Sequence, residues 1–548
     1  MNFLESIFTQ LESARAIPIL QEMRDGQPFP LTGGELLDMI GHARAFLGQQ
    51  GLKKGERVAL LAHNNIRWVA MDLALMAEGL IVVPLYARQA PAELVAMIKD
   101  CSPAIICSGD PELKAAIVQA WPQPPLTFLF DEIFATRATA AAKPQLADSD
   151  PVTIIYTSGT SGEAKGVVLN AGNVAHILQC TTARLDLLMD GRHNRERVYH
   201  YLPFCFCASW IALLTYLLRR NLVSLNTDLT KLSGEMRPLA PDYFLNVPAL
   251  LERMRKAVDE QLWKTGGIVL AVYTRAKVAW MRKQEDKRRA LDGLWLSLAN
   301  TLVFPAIRRK MIGSNLKALI SGSAPLNPET QLYFKMLGIP VLQVYGLTET
   351  TGICTMDDPR RVTPGRVGPA VEGLEMKLGE NDEIIVRGPN VFSGYWNRPQ
   401  ETAKALRDGW FHTGDQGEVD AAGNWRIVGR IKNLIILGSG HNIAPEPIEE
   451  KVMQHLAGAQ QVVIVGNGRG YLSAIVTGPV TREQVQAALD IVNPALPHYK
   501  QVRAFHLHAG AFSVDNGLLT VNGKLRRDAI AARMKEEIEE MYRVKQAS

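Results

Sequence analysis

Short, unbroken apolar runs that alternate with helical spacing constrain this chain more than any other feature of its sequence. Arg57-Val58-Ala59-Leu60-Leu61, Leu80 to Leu85 and Ala104-Ile105-Ile106 read as strands. Leu36 to Leu47, Trp68 to Glu78 and Pro91 to Lys99 carry apolar residues at helical spacing, the last with proline in its first turn. Strands that are apolar on both sides must be covered on both sides, so this order predicts a parallel sheet between layers of helices. Pro122 to Pro125 and the alanine-rich stretch Ala135 to Pro151 read as surface loop or linker, and a second α/β pattern runs from Val152 to about Pro340. From Gly365 to Val428 short strands and turns such as Asp420-Ala421-Ala422-Gly423-Asn424 predict a mostly antiparallel β region. After Arg430 a unit of about 120 residues, within the usual domain size, ends in a charged helix from Asp528 to Tyr542. The predicted class is α/β. Stacked α/β subdomains and a β-rich subdomain (about 365–428) make a large N-terminal domain, 1–429, and a small α+β C-terminal domain covers 430–548.

Composition removes several functional classes. A chain of 548 residues with 47% hydrophobic and 21% charged residues has the apolar content to fold throughout. A net charge of +5 over that length gives no argument for nucleic acid as a partner. None of the six cysteines forms a C-x-x-C pair, and Cys205-Phe206-Cys207 is too tight for zinc, so free thiols in a reducing compartment are expected. Val198 to Leu218 lacks Asp, Glu, Lys and Arg over the ~20 residues a membrane span needs. Pro203 divides it, however, and the segment reads as a buried strand end followed by a core helix from about Ser209. With no basic and apolar leader in Met1 to Glu5, a cytoplasmic protein is expected. Tyr273 to Lys310 is basic and contains Trp280, Trp295 and Phe304. Two readings stand for it: a solvated helix face beside a core, or peripheral contact with an anionic membrane surface.

The strongest local signal is Tyr156-Thr157-Ser158-Gly159-Thr160-Ser161-Gly162-Glu163-Ala164-Lys165-Gly166, directly after the apolar Val152-Thr153-Ile154-Ile155. Its three glycines let the backbone turn sharply and aim N–H groups at an anion. Hydroxyls of Thr157, Ser158, Thr160 and Ser161 add donors, and Lys165 adds a positive charge, which together suit nucleotide phosphates. The G-x-x-x-x-G-K-[ST] pattern is not met, because Ala164 precedes the lysine.

Five more motifs follow in order: Ser321-Gly322-Ser323-Ala324-Pro325; Tyr345-Gly346-Leu347-Thr348-Glu349; Gly409 to Asp415; Gly429-Arg430-Ile431-Lys432-Asn433 with the turn Gly438-Ser439-Gly440-His441-Asn442; and Asn522-Gly523-Lys524. Together with the loop, these resemble the adenylate-forming superfamily of acyl-CoA synthetases, peptide-synthetase adenylation domains and luciferases over nearly the whole chain. The texture is most similar to medium- and long-chain fatty acyl-CoA synthetases. Ser161 and Ala164 replace the Thr and Pro usual in that family's phosphate loop. The resemblance implies that Thr157 to Gly162 and Lys165 bind phosphates, that Gly322, Ser323 and Ala324 line the adenine pocket, and that Tyr345, beside Gly346, stacks on the base. It further implies that Thr348 contacts the α-phosphate, that Glu349, with Thr160 nearby, holds Mg²⁺, and that Asp415 and Arg430 hold the ribose. Lys432 would be the hinge of a mobile C-terminal domain, Lys524 the catalytic lysine, and Gly438, Ser439, Gly440 and His441 part of the CoA channel.

The implied chemistry explains these residue types. A carboxylate attacking the α-phosphorus of ATP brings two anions together, so placed cations and N–H dipoles lower the barrier. Pyrophosphate leaves, and the thiol of CoA then takes the acyl group. In Tyr201 to Trp210 no acidic residue is present to meet an amino acid's ammonium, and Phe206 and Trp210 suggest an apolar wall for an alkyl chain. A carboxylic acid, ATP and CoA are the expected partners. Alternatives are delivery to a carrier-protein phosphopantetheine, an aryl acid as substrate and, in another class, a non-catalytic nucleotide or acyl sensor.

Overall fold

The computed structural model describes residues 2–24, 26–136, 146–158, 164–191, 195–520 and 523–543. The chain divides into two compact units. One comprises residues 1–375, 386–411 and 420–425, and the other residues 376–385, 412–419 and 426–548.

The first unit contains two sheets. In the seven-stranded sheet the order is Gly394–Tyr395, Ala164–Asn170, Pro151–Ser158, Ile81–Leu85, Arg57–Leu61, Ile105–Ser108 and Leu126–Leu129. The five strands from Pro151–Ser158 onward run parallel. Of these, Arg57–Leu61, Ile81–Leu85 and Ile105–Ser108 are expected from their apolar runs, whereas Leu126–Leu129 is not, and Pro151–Ser158, expected to open a second pattern, joins this sheet instead. Ala59, Val83, Ile106 and Ile154 are buried among Leu94, Ile98 and Ile117 of the crossover helices. Ala164–Asn170 returns antiparallel to Pro151–Ser158 in the register Thr157↔Lys165.

The eight-stranded sheet has the order Thr355–Met356, Val341–Tyr345, Ala318–Ser321, Tyr243–Asn246, Arg197–His200, Leu222–Leu225, Pro18–Arg24 and Gln27–Thr32. Its six inner strands are parallel, and an antiparallel strand closes each edge. The N-terminal hairpin 18–32 has no counterpart in the sequence-based expectation. It joins this second sheet through the pairing Leu20↔Val223, a partnership made some 200 residues away. The uncharged segment resolves into the strand Arg197–His200 and the helix Cys207–Leu218, whose Trp210, Leu213, Leu214 and Leu217 are buried. Among the described residues no helix is long and apolar enough to cross a membrane.

The basic segment lies on the helices Gly267–Gln284, Asp292–Leu298 and Phe304–Met311. Tyr273, Trp280 and Phe304 turn inward and are buried, so most aromatics counted towards a surface patch serve the core instead. Trp295 lies beneath the Arg275 guanidinium at 4.6 Å.

In the second unit, parts of the strands Glu375–Leu378, Glu383–Arg387, Trp410–Val419 and Trp425–Arg430 precede a three-stranded sheet of Gln461–Val465, Leu472–Thr477 and Val502–His508. Val462, Ile464, Ala474 and Val476 pack under the helices Glu446–Gln454 and Arg482–Val492. The expected single helix Asp528 to Tyr542 is two, Arg527–Arg533 and Lys535–Arg543. The chain departs from helical geometry at Met534, whose side chain is buried with Ile530 and Ile475.

Candidate active site

The parallel strands of the eight-stranded sheet all end at one edge, the edge where ligands of open α/β sheets bind. Ser321 ends one strand and Tyr345 its neighbour, so Gly322-Ser323-Ala324 and Gly346-Leu347-Thr348-Glu349 emerge side by side. Gly346 is required here: a Cβ would stand 2.4 Å from the Gly352 carbonyl oxygen and 2.5 Å from the Ile353 Cα. Gly322 is similarly tight against Val344. Ser323 and Ala324 are exposed, and Ser323 holds a left-handed φ of 71°, a conformation that costs energy and collects at binding sites. At the adjacent strand ends, Ser321 Oγ and Asn246 Oδ1 are buried without a hydrogen-bond partner among the described residues. Unsatisfied acceptors at this edge fit a polar ligand such as a nucleobase.

Thr348 and Glu349 sit in a one-turn helix, Thr348–Thr350. Asn390 clamps this turn by donating to the carbonyls of Thr350 (3.1 Å) and Ile353 (2.9 Å). Glu349 accepts a hydrogen bond from the Tyr395 hydroxyl at 2.8 Å. Tyr395 also faces the Lys165 ammonium, 5.4 Å from its ring centre. Lys165 pairs with Glu401 at 2.5 Å. That carboxyl is held down at about 2 by Lys165 first and Lys404 second. Thus Lys165, expected to face phosphates, has a carboxylate partner in this structure. Thr157 directs its hydroxyl to the Lys165 carbonyl at 3.5 Å. Ser158 ends its strand, and Gly159, Thr160, Ser161 and Gly162 lie outside the described residues. Tyr395 and Glu401 are site neighbours that sequence reasoning missed. They stand 46 and 236 residues from the groups they touch, and no local motif announces them.

The candidate acyl segment leaves the same sheet edge. Phe206 is half-buried against Tyr86, ring centres 5.6 Å apart. Trp210 is fully buried, and its indole N–H donates to Asp72 Oδ2 at 2.8 Å. A cavity beside them is lined by His63, Tyr86, Arg88, Tyr201, Cys205 and Asn226. His200 is buried, bonds Ser209 and the Leu202 carbonyl, and is lowered by burial to about 4. It is a neutral core histidine.

A second group of candidates assembles within the second unit. Asp415 is buried, and Arg430 Nε meets its Oδ1 at 2.7 Å. Gly414, with a φ of 69°, turns the backbone before it, and the Asp415 amide donates to Thr413 Oγ1. Lys432 occupies the turn Ile431–Asn433. Desolvation lowers its pKa first, and the Arg430 charge adds to that. Lys524 follows Gly523, whose φ is 72°; its amide donates to Thr520 Oγ1, and its carbonyl accepts from the Thr520 amide. The Lys524 side chain reaches solvent, yet partial desolvation and the Arg430 charge lower its pKa, while Asp415 opposes them. Asp415, Arg430, Lys432 and Lys524 therefore lie within electrostatic range of one another. In the exposed turn Gly438 to His441, Ser439 Oγ bonds His441 Nδ1 at 2.9 Å and the imidazole stacks on Tyr499 at 4.2 Å.

Among the described residues no group of three or more His, Cys, Asp or Glu could hold an ion. A lone carboxylate such as Glu349 is compatible with Mg²⁺, which commonly takes one or two carboxylates together with substrate phosphates.

The chain belongs to the AMP-binding enzyme family, whose model matches residues 13–396, and the AMP-binding enzyme C-terminal domain matches residues 432–546. It is 27% identical to a long-chain-fatty-acid–CoA ligase, FadD15 of Mycobacterium bovis, over 96% of this chain and 94% of that protein. It is 26% identical to a long-chain-fatty-acid–[acyl-carrier-protein] ligase of Arabidopsis thaliana, over 93% of this chain and 81% of that one. Its fold is that of the O-succinylbenzoate coenzyme A synthetase of Bacillus subtilis, solved with ATP and a magnesium ion. There the TM-score is 0.73 at 20% identity, over 96% of this chain and 98% of that one.

Proposed function

We propose that this protein is an ATP-dependent, AMP-forming acid–thiol ligase that activates a medium- or long-chain fatty acid and transfers it to CoA. The observation that carries the reading is Lys524 within electrostatic range of the Asp415–Arg430 pair. A cation in range of the pair suited to ribose is what bringing two anions together requires. In this reading Tyr345 and Gly322 to Ala324 receive the adenine, and Asp415, paired with Arg430, accepts the ribose hydroxyls. Thr348 and the residues Thr157 to Lys165 donate to phosphate oxygens, with Lys165 exchanging Glu401 for the nucleotide. Lys524 spans the attacking carboxylate and the α-phosphate, neutralising charge where the two anions converge. Glu349, together with the Thr160 hydroxyl, would hold Mg²⁺, which when bound neutralises phosphate charge.

For the second half-reaction we take 430–548 as the mobile domain and Lys432 as its hinge. Movement there withdraws Lys524 and brings Gly438 to His441 to the thiol. The apolar segment around Phe206 suits an alkyl chain, each buried methylene adding about 0.8 kcal/mol, and the likeness to fatty-acid ligases points the same way. A carrier-protein thiol as acceptor is the second reading, favoured by the Arabidopsis relative. As a site of action we propose the cytoplasm, with lipid contact through the basic segment. Leu291, Leu294 and Leu302 are exposed there among Lys283, Lys287, Arg288 and Arg289, with Trp263, Ile268 and Val269 exposed just before it, apolar and cationic groups together suiting an anionic bilayer.

Pyrophosphate release measured over a panel of acids, with and without CoA, tests the activity. Release is expected with C8 to C18 fatty acids and not with amino acids; release without dependence on an acid would overturn the reading. Lys524→Ala is expected to lower acyl-AMP formation about 10²–10³-fold while thioester formation from supplied acyl-AMP is largely kept. Equal loss in both steps would refute the two-pose scheme.

A further inference from the structure

An ion-pair network inside the second unit connects the Lys432 turn to the Lys524 turn. Arg527 stands three residues after Lys524 at the start of the helix Arg527–Arg533. Its guanidinium grips Glu449 with two bonds, 2.7 and 2.6 Å. Glu449 is buried and also accepts from the Ile464 amide at 2.8 Å, so the helix Glu446–Gln454 and the strand Gln461–Val465 fix its position. A bidentate guanidinium–carboxylate pair sets orientation as well as distance. One helical turn earlier, Glu446 Oε1 is 3.6 Å from the same guanidinium and accepts from Asn433 Nδ2 at 2.6 Å. Asn433 is the residue after Lys432. Glu446 Oε2 is buried with no hydrogen-bond partner among the described residues, and a Cβ on Gly429 would stand 2.9 Å from it. Gly429 and the Asn433 side chain, on the two sides of Arg430 and Lys432, thus meet a carboxylate that also faces Arg527. Below the Lys524 turn, the amide of Arg526 donates to the Leu518 carbonyl at 2.9 Å and Leu519 pairs with Leu525. A short stem therefore joins Arg527 to the Lys524 turn.

We infer that Arg527, Glu446, Glu449 and Asn433 form a clasp, with Arg527 as a positioning residue that fixes the Lys524 turn relative to the hinge turn during adenylation. The inference rests on the proposed activity, and its test separates the two. In full-length Arg527→Gln, pyrophosphate release with acid and ATP is expected to fall about 10- to 100-fold, the loss typical of a misplaced catalytic group. KM for ATP should change less than kcat does, since the proposed adenine and phosphate-loop contacts lie outside the clasp. Thioester formation from supplied acyl-AMP should stay within about twofold, because Lys524 is not used in that step. Arg527→Lys, which keeps a cation near one carboxylate, should recover part of the loss. Removing one partner of a buried ion pair can destabilise the fold, so Asn433→Ala, which cuts only the hinge arm, is the second variant and should show the same skew more weakly. Hydrogen exchange gives a readout independent of activity: in Asn433→Ala the Arg526 amide should exchange faster. Equal loss in both half-reactions, or an unchanged Arg526 amide together with intact adenylation in Asn433→Ala, would overturn the clasp. If the wild-type protein releases no pyrophosphate with any acid but the exchange coupling is present, the activity fails and the clasp stands as a mechanical link.

Discussion

Asp72, on the helix Ile66–Ala77 of the first unit, is fully buried, with the Trp210 indole N–H on its Oδ2. Burial raises its pKa to about 7, against the partly offsetting hydrogen bond from Trp210. Because the folded state holds this proton more tightly than the unfolded chain, its contribution is complete below pH ~4 and is lost as pH rises towards 7. A rise from the ordinary carboxyl range to about 7 corresponds to roughly 4 kcal/mol. Asp72→Asn keeps an acceptor for Trp210 and removes the charge. Thermal melts of the variant and the wild type should nearly coincide at pH 4–5 and separate by several degrees at pH 8, the variant melting higher. Parallel melting curves at both pH values would show that Asp72 does not carry the cost. The same contact makes Trp210 part of the core, so of the two proposed acyl-wall residues Phe206 has the exposure to meet a chain.

At the scale of elements, the strand Val341–Tyr345 and the segment Gly352–Ile353 approach so closely that only glycine fits between them. The atoms facing Gly346 are backbone and cannot rotate away. Gly346→Ala must therefore shift the turn that carries Thr348 and Glu349, and a drop in pyrophosphate release of at least about tenfold is expected with the far-ultraviolet circular dichroism unchanged. Gly41, inside the helix Gly33–Gln49, meets nothing within 4 Å. Gly41→Ala should leave activity alone and stabilise the protein by about 0.5–1 kcal/mol. Equal activity of the two variants would mean that the close approach has no part in catalysis. Strands such as Arg57–Leu61 and Ile81–Leu85 were legible because they are buried on both faces and so are apolar at nearly every position. Residues 18–32 and the break at Met534 were not, since each depends on a partner remote in sequence or on one buried side chain.

For the whole molecule, the exposed apolar residues cluster. Of the large hydrophobic side chains that stand exposed, Trp263, Ile268, Val269, Val278, Met281, Leu291, Leu294 and Leu302 fall within one forty-residue span. Trp263 is 72% exposed and Ile268 82%. Scattered exposed leucines need no explanation, whereas a cluster beside Lys283, Lys287, Arg288 and Arg289 does. The full-length protein should sediment with vesicles containing anionic lipid, less so as salt is raised, and Ile268→Asn with Leu302→Asn should weaken it. Equal sedimentation with neutral vesicles, or none with either, would remove the membrane from its function.

By itself the sequence determined the α/β class, the order of the motifs and the family, because unbroken apolar strands and turns rich in glycine and hydroxyls are written in neighbouring residues. Only the tertiary structure decided that Ser321 and Tyr345 end adjacent strands, that Glu401 holds Lys165, that Tyr395 reaches Glu349 and that Arg527 ties to Glu449 and Glu446. Those pairings join side chains tens to hundreds of residues apart. Which carboxylate meets which cation is fixed by how sheets and helices pack, and local pattern carries no record of that.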